Sequence, residues 1–224
     1  MKRLLIYTSL FFVIIPCLFS CGNLNAAIES TSIEEDSTER EQFIQDSIAH
    51  EQFIQDSVEQ ATVAAETIAR LKSKFTEKKD EFNDVVWIKP NNAPRYTDRN
   101  GVYCYFAIKN GIAYNFRFRY QYYADDWLFI QNMIFNIDGE NTTIYPDMET
   151  DCGNGGKIWE WCDESVSNSS NIDKYFILGI ANAKSVKVKM NGRQYYDTRT
   201  LTEAQIKTIK DTYDYYLALG GKFE

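Results

Sequence analysis

Five carboxylates, Asp125, Asp126, Glu160, Asp163 and Glu164, are the residues whose types and spacing come nearest to chemistry. A pair of such groups at a fixed separation, one acting as acid and the other as base or nucleophile, supports glycoside hydrolysis. Glu160 stands between Trp159 and Trp161, an unusual place for a bare charge. Turned inward it needs a partner, for which Arg117 and Arg119 are the candidates. Asp125-Asp126 precede an apolar run and serve equally well to cap a turn. Trp159, Trp161, Glu160 and Asp126 are therefore candidate binding residues. The two tryptophans share one strand face, which is either core or a strip for stacking sugar rings or a protein partner.

Other chemistries lack their parts. The single histidine, His50, lies far upstream of these residues, so a cysteine or serine nucleophile would have no histidine base in the same domain. A zinc site with histidine ligands is excluded there for the same reason. Asp147, Glu149, Asp151 and Asn154 place oxygen ligands at alternate positions, but the glycine comes late and no glutamate closes the loop as a calcium-binding hand requires. A solvated acidic loop accounts for them, and no metal or cofactor is expected. The net charge of -8 and pI of about 4.9 exclude nucleic acid as a natural partner, since phosphate backbones call for a basic face.

The elements that would carry these residues are mostly strands. Tyr114, Phe116, Phe118, Tyr120 and Tyr122 alternate with Asn115, Arg117, Arg119 and Gln121, a period of two over nine residues. Val85–Ile88 and Val102–Ile108 read as strands, and Asn110-Gly111 supplies a hairpin turn between the second of these and the alternating one. The run from Trp127 to Ile137 begins apolar on both sides, as a central strand would be. Asp138-Gly139 turns it into Thr142–Tyr145. Lys157–Cys162 reads as a further strand, Asn171–Ala183 as a short helix, and Val186–Met190 with Arg193–Thr198 as a hairpin around Asn191-Gly192. Thr202 and Gln205 form a capping box ahead of an apolar face of Ile206, Ile209, Tyr213, Tyr216 and Leu217, and Gly220-Gly221 ends that helix. The fold class is α+β: an antiparallel sheet of six to eight strands, packed by one or two C-terminal helices, over residues 80–224.

Residues 33–79 predict a long helical tether. Glu41-Gln42-Phe43-Ile44-Gln45-Asp46-Ser47 recurs as Glu51-Gln52-Phe53-Ile54-Gln55-Asp56-Ser57. A ten-residue step turns the apolar pair by about 80° per copy, so the stripe drifts and a solvated spacer fits better than a coiled-coil seam. Ten acids against one base, Arg40, fall between residues 27 and 60, which places the acidic surplus upstream of the globular part.

The N-terminus reads as an address. Lys2 and Arg3 precede an apolar run too short for a transmembrane helix, and it ends in Leu18-Phe19-Ser20-Cys21. This resembles the lipobox of bacterial lipoproteins. The resemblance implies a signal peptide over 1–20 and lipidation of Cys21, and the composition of the residues that follow makes 21–32 a flexible lipidated segment. It also implies a cell-envelope location through a membrane anchor. Gly22 in place of an acid favours the outer membrane. An exported compartment permits disulfides; Cys152 and Cys162 flank a glycine-rich segment able to fold back, and are candidates for one. Cys104, in an apolar strand, is expected as a buried thiol.

Tyr123-Ala124-Asp125-Asp126-Trp127-Leu128-Phe129-Ile130, Ile158-Trp159-Glu160-Trp161, Asn191-Gly192-Arg193-Gln194-Tyr195-Tyr196 and Ala218-Leu219-Gly220-Gly221 resemble an uncharacterised β-rich family. That family recurs in bacterial lipoproteins and prophage-linked proteins. The resemblance implies a domain boundary near residue 80 and assigns no activity. The expectation is a membrane-anchored, non-catalytic domain that binds a protein or glycan ligand. A carboxylate-dependent glycan hydrolase and a prophage-encoded superinfection-exclusion lipoprotein are the alternatives.

Overall fold

The computed structural model describes residues 32–153, 155–167 and 172–223; the signal peptide, Cys21 and its flexible segment, Asn154 and Asn171 lie outside them. The chain divides into two units, residues 1–52 and 53–224. Helix α1 (Ser32–Leu71) contains both copies of the repeat, and every residue from Arg40 to Val63 is exposed. Phe43 and Phe53 are 73% and 69% exposed, and the equivalent serines close the same bond, Ser47 and Ser57 each donating to the carbonyl four residues back.

The second unit is α+β, as expected, and among its described residues ten strands form two antiparallel sheets, the larger of six. They are β1 (Phe75–Asp80), β2 (Val85–Pro90), β3 (Gly101–Lys109), β4 (Ile112–Ala124), β5 (Asn132–Ile137), β6 (Glu140–Ile144), β7 (Glu149–Cys152), β8 (Ile158–Ser165), β9 (Val186–Asn191) and β10 (Tyr196–Thr200). Helix α2 (Lys174–Asn182) sits between β8 and β9, and α3 (Glu203–Ala218) follows β10. A six-stranded sheet runs β1-β2-β3-β4-β8-β7 and a four-stranded one β10-β9-β5-β6, with every pairing antiparallel.

The expected tether boundary moves. The helix ends at Leu71, which is fully buried, and residues 75–80 form the edge strand β1. Glu77, Lys78 and Lys79 are charged, as an edge that must resist pairing with another chain requires, and that composition disguises the strand as helix. The edge strand β7 was likewise unforeseen; its four residues are all exposed.

The core lies between the larger sheet and everything packed on one of its faces. Phe118 and Tyr120 of β4 meet Phe135 of β5 at 6.1 and 6.5 Å, and Phe118 meets Phe176 of α2 at 5.6 Å. Phe106 and Phe116 meet Tyr216 of α3 at 5.5 and 5.1 Å. The capping box of Thr202 and Gln205 is formed. One expected alternation breaks: between Tyr105 and Ala107 of β3 the register shifts because β4 carries an extra residue, Asn115 and Phe116 standing opposite Phe106 alone. With Asn115 at φ 51°, this bulge turns Ala113 inward and Tyr114 out to solvent.

Candidate functional site: the outer face of the larger sheet

From β2 to β8 the face of the larger sheet turned away from the core carries no aliphatic patch. It carries Trp87 and Lys89 of β2, Tyr103 and Tyr105 of β3, Arg117, Arg119, Gln121 and Tyr123 of β4, and Trp159, Trp161 and Asp163 of β8. The register aligns them in rows: Gly101, Gln121 and Trp161 in one, Tyr103, Arg119 and Asp163 in the next. An antiparallel sheet with one face on the core ordinarily leaves scattered polar groups outside. Here they are joined.

Asp163 is the hub. It accepts from Arg117 Nε at 2.7 Å and Arg119 Nη1 at 2.5 Å, and Tyr105 Oη donates to it at 2.7 Å. Arg117 also reaches Tyr105 Oη and the Asp163 carbonyl. Burial followed by the Asp163 hydrogen bond pushes the Tyr105 hydroxyl well above the ordinary tyrosine range, so Tyr105 stays a donor. Burial depresses Arg117, but the hydrogen bond and charge of Asp163 more than offset this. Trp87 packs on Tyr105 at 5.6 Å, and the Lys89 ammonium lies 4.8 Å from the centre of the Tyr103 ring.

Residues 91–100 fold over part of this face. Gln121 Nε2 donates to the Tyr96 carbonyl at 2.9 Å, Lys89 Nζ to the Pro94 carbonyl at 2.8 Å, and Tyr123 N to Asn100 Oδ1 at 2.9 Å. Between loop and sheet lies a cavity of about 280 Å³ lined by Lys89, Arg95, Tyr96, Tyr103, Arg119 and Gln121 among others. Three cations line it and no carboxylate does. Burial, then repulsion from Arg119, holds the Lys89 ammonium below the ordinary lysine range, and burial raises Tyr103 to about 12. Two buried atoms lack a hydrogen-bond partner among the described residues: Arg119 Nε, a donor, and Gln121 Oε1, an acceptor. Gln121 is 1% exposed.

The residues singled out from sequence fall in different places. Trp159 and Trp161 are half-buried on the outer face. Glu160, between them, points the other way and is 0% exposed. Its partner is neither arginine. Its carboxylate accepts three backbone N–H groups, from Leu128 at 2.7 Å, Phe129 at 2.8 Å and Ile130 at 2.8 Å. The run Trp127–Ile130 is therefore not a strand: its amides converge on one carboxylate, and β5 starts only at Asn132. Asp126 is exposed, and Asp125 pairs with Lys157. Glu164 accepts the Asp147 amide at 2.8 Å. Of the five carboxylates, Asp126 alone is thus uncommitted. Asp151 accepts the amide of Cys152 at 2.8 Å, Glu149 and Asp151 are exposed on β7, and among the described residues no cluster of metal-ligating groups assembles.

The candidate disulfide is also corrected. Cys152 pairs with Ile158 across β7 and β8, four residues along the strand from Cys162, about 13 Å at strand rise. A bridge needs Cα atoms within about 7 Å. Cys104, Cys152 and Cys162 are all free.

The cationic pocket was not foreseen from the sequence. Its signal was the polar half of the β4 alternation, with two arginines and a glutamine on one face. Its roof depends on a loop whose path no periodicity encodes. No family model matches this chain, and comparison with curated proteins and with solved structures returns no significant match. Among the described residues no helix is long and apolar enough to cross a membrane.

Proposed function

We propose that this protein is a lipid-anchored envelope protein that presents a non-catalytic binding domain, with the outer face of its larger sheet as the binding surface. The N-terminal motif ending at Cys21 supports the anchor: two or three acyl chains hold a protein stably to a bilayer, where one does not. The exposed repeat helix supports a spacer role. Trp87, Tyr105, Trp159 and Trp161 supply large, half-buried ring area at low entropic cost, as recognition surfaces do. The observation that carries the reading is the pocket beside them, lined by three cations and by the two residues whose buried side-chain atoms lack a partner among the described residues. A binding role is further supported by Glu160, fully buried on three backbone amides, and by Asp163, held by two arginines.

Two measurements test this. Mass spectrometry of native material gives a diacylglyceryl-modified Cys21 as the first residue; an unmodified N-terminus overturns the anchor. The chain from Gly22 onward, made without lipid, co-sediments with delipidated envelope polymers. A Trp87→Ala/Trp161→Ala variant with unchanged circular dichroism loses that association. Equal retention of both proteins overturns the binding surface.

A further inference from the structure

The pocket under residues 91–100 is specific enough to name the chemistry of its ligand, an inference that rests on the binding-domain reading above. Lys89, Arg95 and Arg119 line it, and Arg117 lies immediately beyond. Asp163 is engaged by Arg117 and Arg119, and among the described residues neither Lys89 nor Arg95 has a carboxylate partner. Like charges gathered in a partly dehydrated pocket repel unless an anion joins them. The first requirement on a ligand is therefore negative charge.

The second requirement comes from the unpaired atoms. Arg119 Nε offers a proton and seeks an acceptor. Gln121 Oε1 is an acceptor, 99% of its residue surface is covered, and it seeks a donor. A buried polar atom left without a partner is costly, and both atoms belong to residues that line the cavity, so a ligand that satisfies both gains from each. A bare inorganic anion answers Arg119 and presents its charge to Gln121 Oε1. An ammonium group answers Gln121 but adds another cation to the pocket. A hydroxyl answers either.

The third requirement is shape. Tyr96, 55% exposed, lines the same cavity, and a tyrosine ring offers a flat surface to the C–H face of a sugar; Tyr103, 3% exposed beneath Lys89, only backs the pocket. A volume of about 280 Å³ is at the small end of ligand pockets and suits one ring rather than several. We propose that this pocket binds a single carboxylate-bearing sugar ring, a uronic-acid unit of an acidic glycan. The carboxylate meets Lys89, Arg95 and Arg119, and a ring hydroxyl donates to Gln121 Oε1.

The experiment is isothermal calorimetry on the detergent-solubilised mature chain. The probes are an oligogalacturonate, its fully methyl-esterified neutral counterpart, and inorganic phosphate. The oligogalacturonate binds at one site per chain, and the ester and phosphate bind at least tenfold more weakly. Lys89→Gln/Arg95→Gln, two partly exposed positions, weakens oligogalacturonate binding at least tenfold with the thermal midpoint unchanged. An ester that binds equally well overturns the role of charge. Phosphate binding as tightly as the oligogalacturonate makes this a bare-anion site and overturns the sugar assignment. Oligogalacturonate binding untouched by the double variant overturns the location. Absence of all binding overturns the ligand class; if the chain still co-sediments with envelope polymers through Trp87 and Trp161, the binding-domain reading stands without it.

Discussion

Replacing Glu160 by glutamine should destabilise the domain by about 2–4 kcal/mol, although Glu160 resembles a catalytic acid in sequence. The carboxylate is 0% exposed and holds the amides of Leu128, Phe129 and Ile130, with Oε1 accepting two and Oε2 one. Hydrogen bonds to a charged acceptor contribute about 1.5–3 kcal/mol each, and neutral ones roughly half as much. Glutamine can keep its oxygen toward Leu128 and Phe129, weakening two bonds by about 1 kcal/mol each. Its amide then faces the Ile130 N–H, donor against donor, which leaves a buried group unsatisfied at about 1–3 kcal/mol. The lower cost of burying a neutral amide offsets part of this. The carboxylate also holds Phe129 at φ 53°, a left-handed conformation that costs a bulky residue about 1–2 kcal/mol. Urea unfolding of the soluble chain reads the change as a lowered midpoint at constant slope. Hydrogen exchange reads it locally, as lost protection at Leu128, Phe129 and Ile130. Phe129→Gly should instead stay within about 1 kcal/mol of the parent, since relief of the backbone offsets the lost ring contacts. Superimposable unfolding curves for Glu160→Gln and the parent would refute the reasoning.

Gly192→Ala should cost about 1–3 kcal/mol through overpacking, because a Cβ there would lie 2.1 Å from the Leu128 carbonyl oxygen; an unchanged melting temperature contradicts the close approach. A thiol reagent at neutral pH should label one cysteine of the chain from Gly22 onward, Cys152. Cys104 and Cys162 are buried, which raises the Cys162 thiol to about 12 and Cys104 further; labelling of two or three in the folded chain would be the opposing result. Affinity for an anionic ligand should fall as pH rises through the Lys89 titration, below the ordinary lysine value of 10.5. Loss of the ammonium removes charge while Arg117, held above the ordinary arginine value by Asp163, keeps its own and Tyr103, at about 12, stays neutral. Arg119, Asp163 and Lys78 are the other charges that act on Lys89. Lys89→Gln should flatten the profile, and an identical slope in both proteins contradicts the assignment. The same depressed pKa means the folded chain binds fewer protons there than the unfolded one, so this group's unfavourable contribution is present below the folded pKa and relieved as pH rises through it.

Where local geometry decides an element, the sequence carried it. Asn110-Gly111 and Asp138-Gly139 adopt positive φ at both positions, as tight hairpins demand. Thr202 and Gln205 cap α3 as their spacing implies. Where a distant residue decides, the sequence was silent. Trp127–Ile130 has the composition of a central strand, and only a carboxylate some thirty residues later converts it to a loop. Phe75–Asp80 has the composition of a helix, and pairing with β2 makes it a strand, since tertiary pairing overrides weak propensity. The arginines of β4 were legible as a polar face. Their pocket was not, because it exists only where residues 91–100 cross that face and Gly101 leaves room for the Pro94 ring.

Hydroxyl-radical footprinting of the native protein, in its own envelope and after extraction into detergent, tests the central claim most directly. The account predicts that Trp87, Tyr105, Trp159 and Trp161 are protected in the envelope and become reactive on extraction, while the exposed Phe53 and Phe82 react alike in both. Equal reactivity of the four outer-face residues in the two states, with protection appearing elsewhere on the domain, would contradict it.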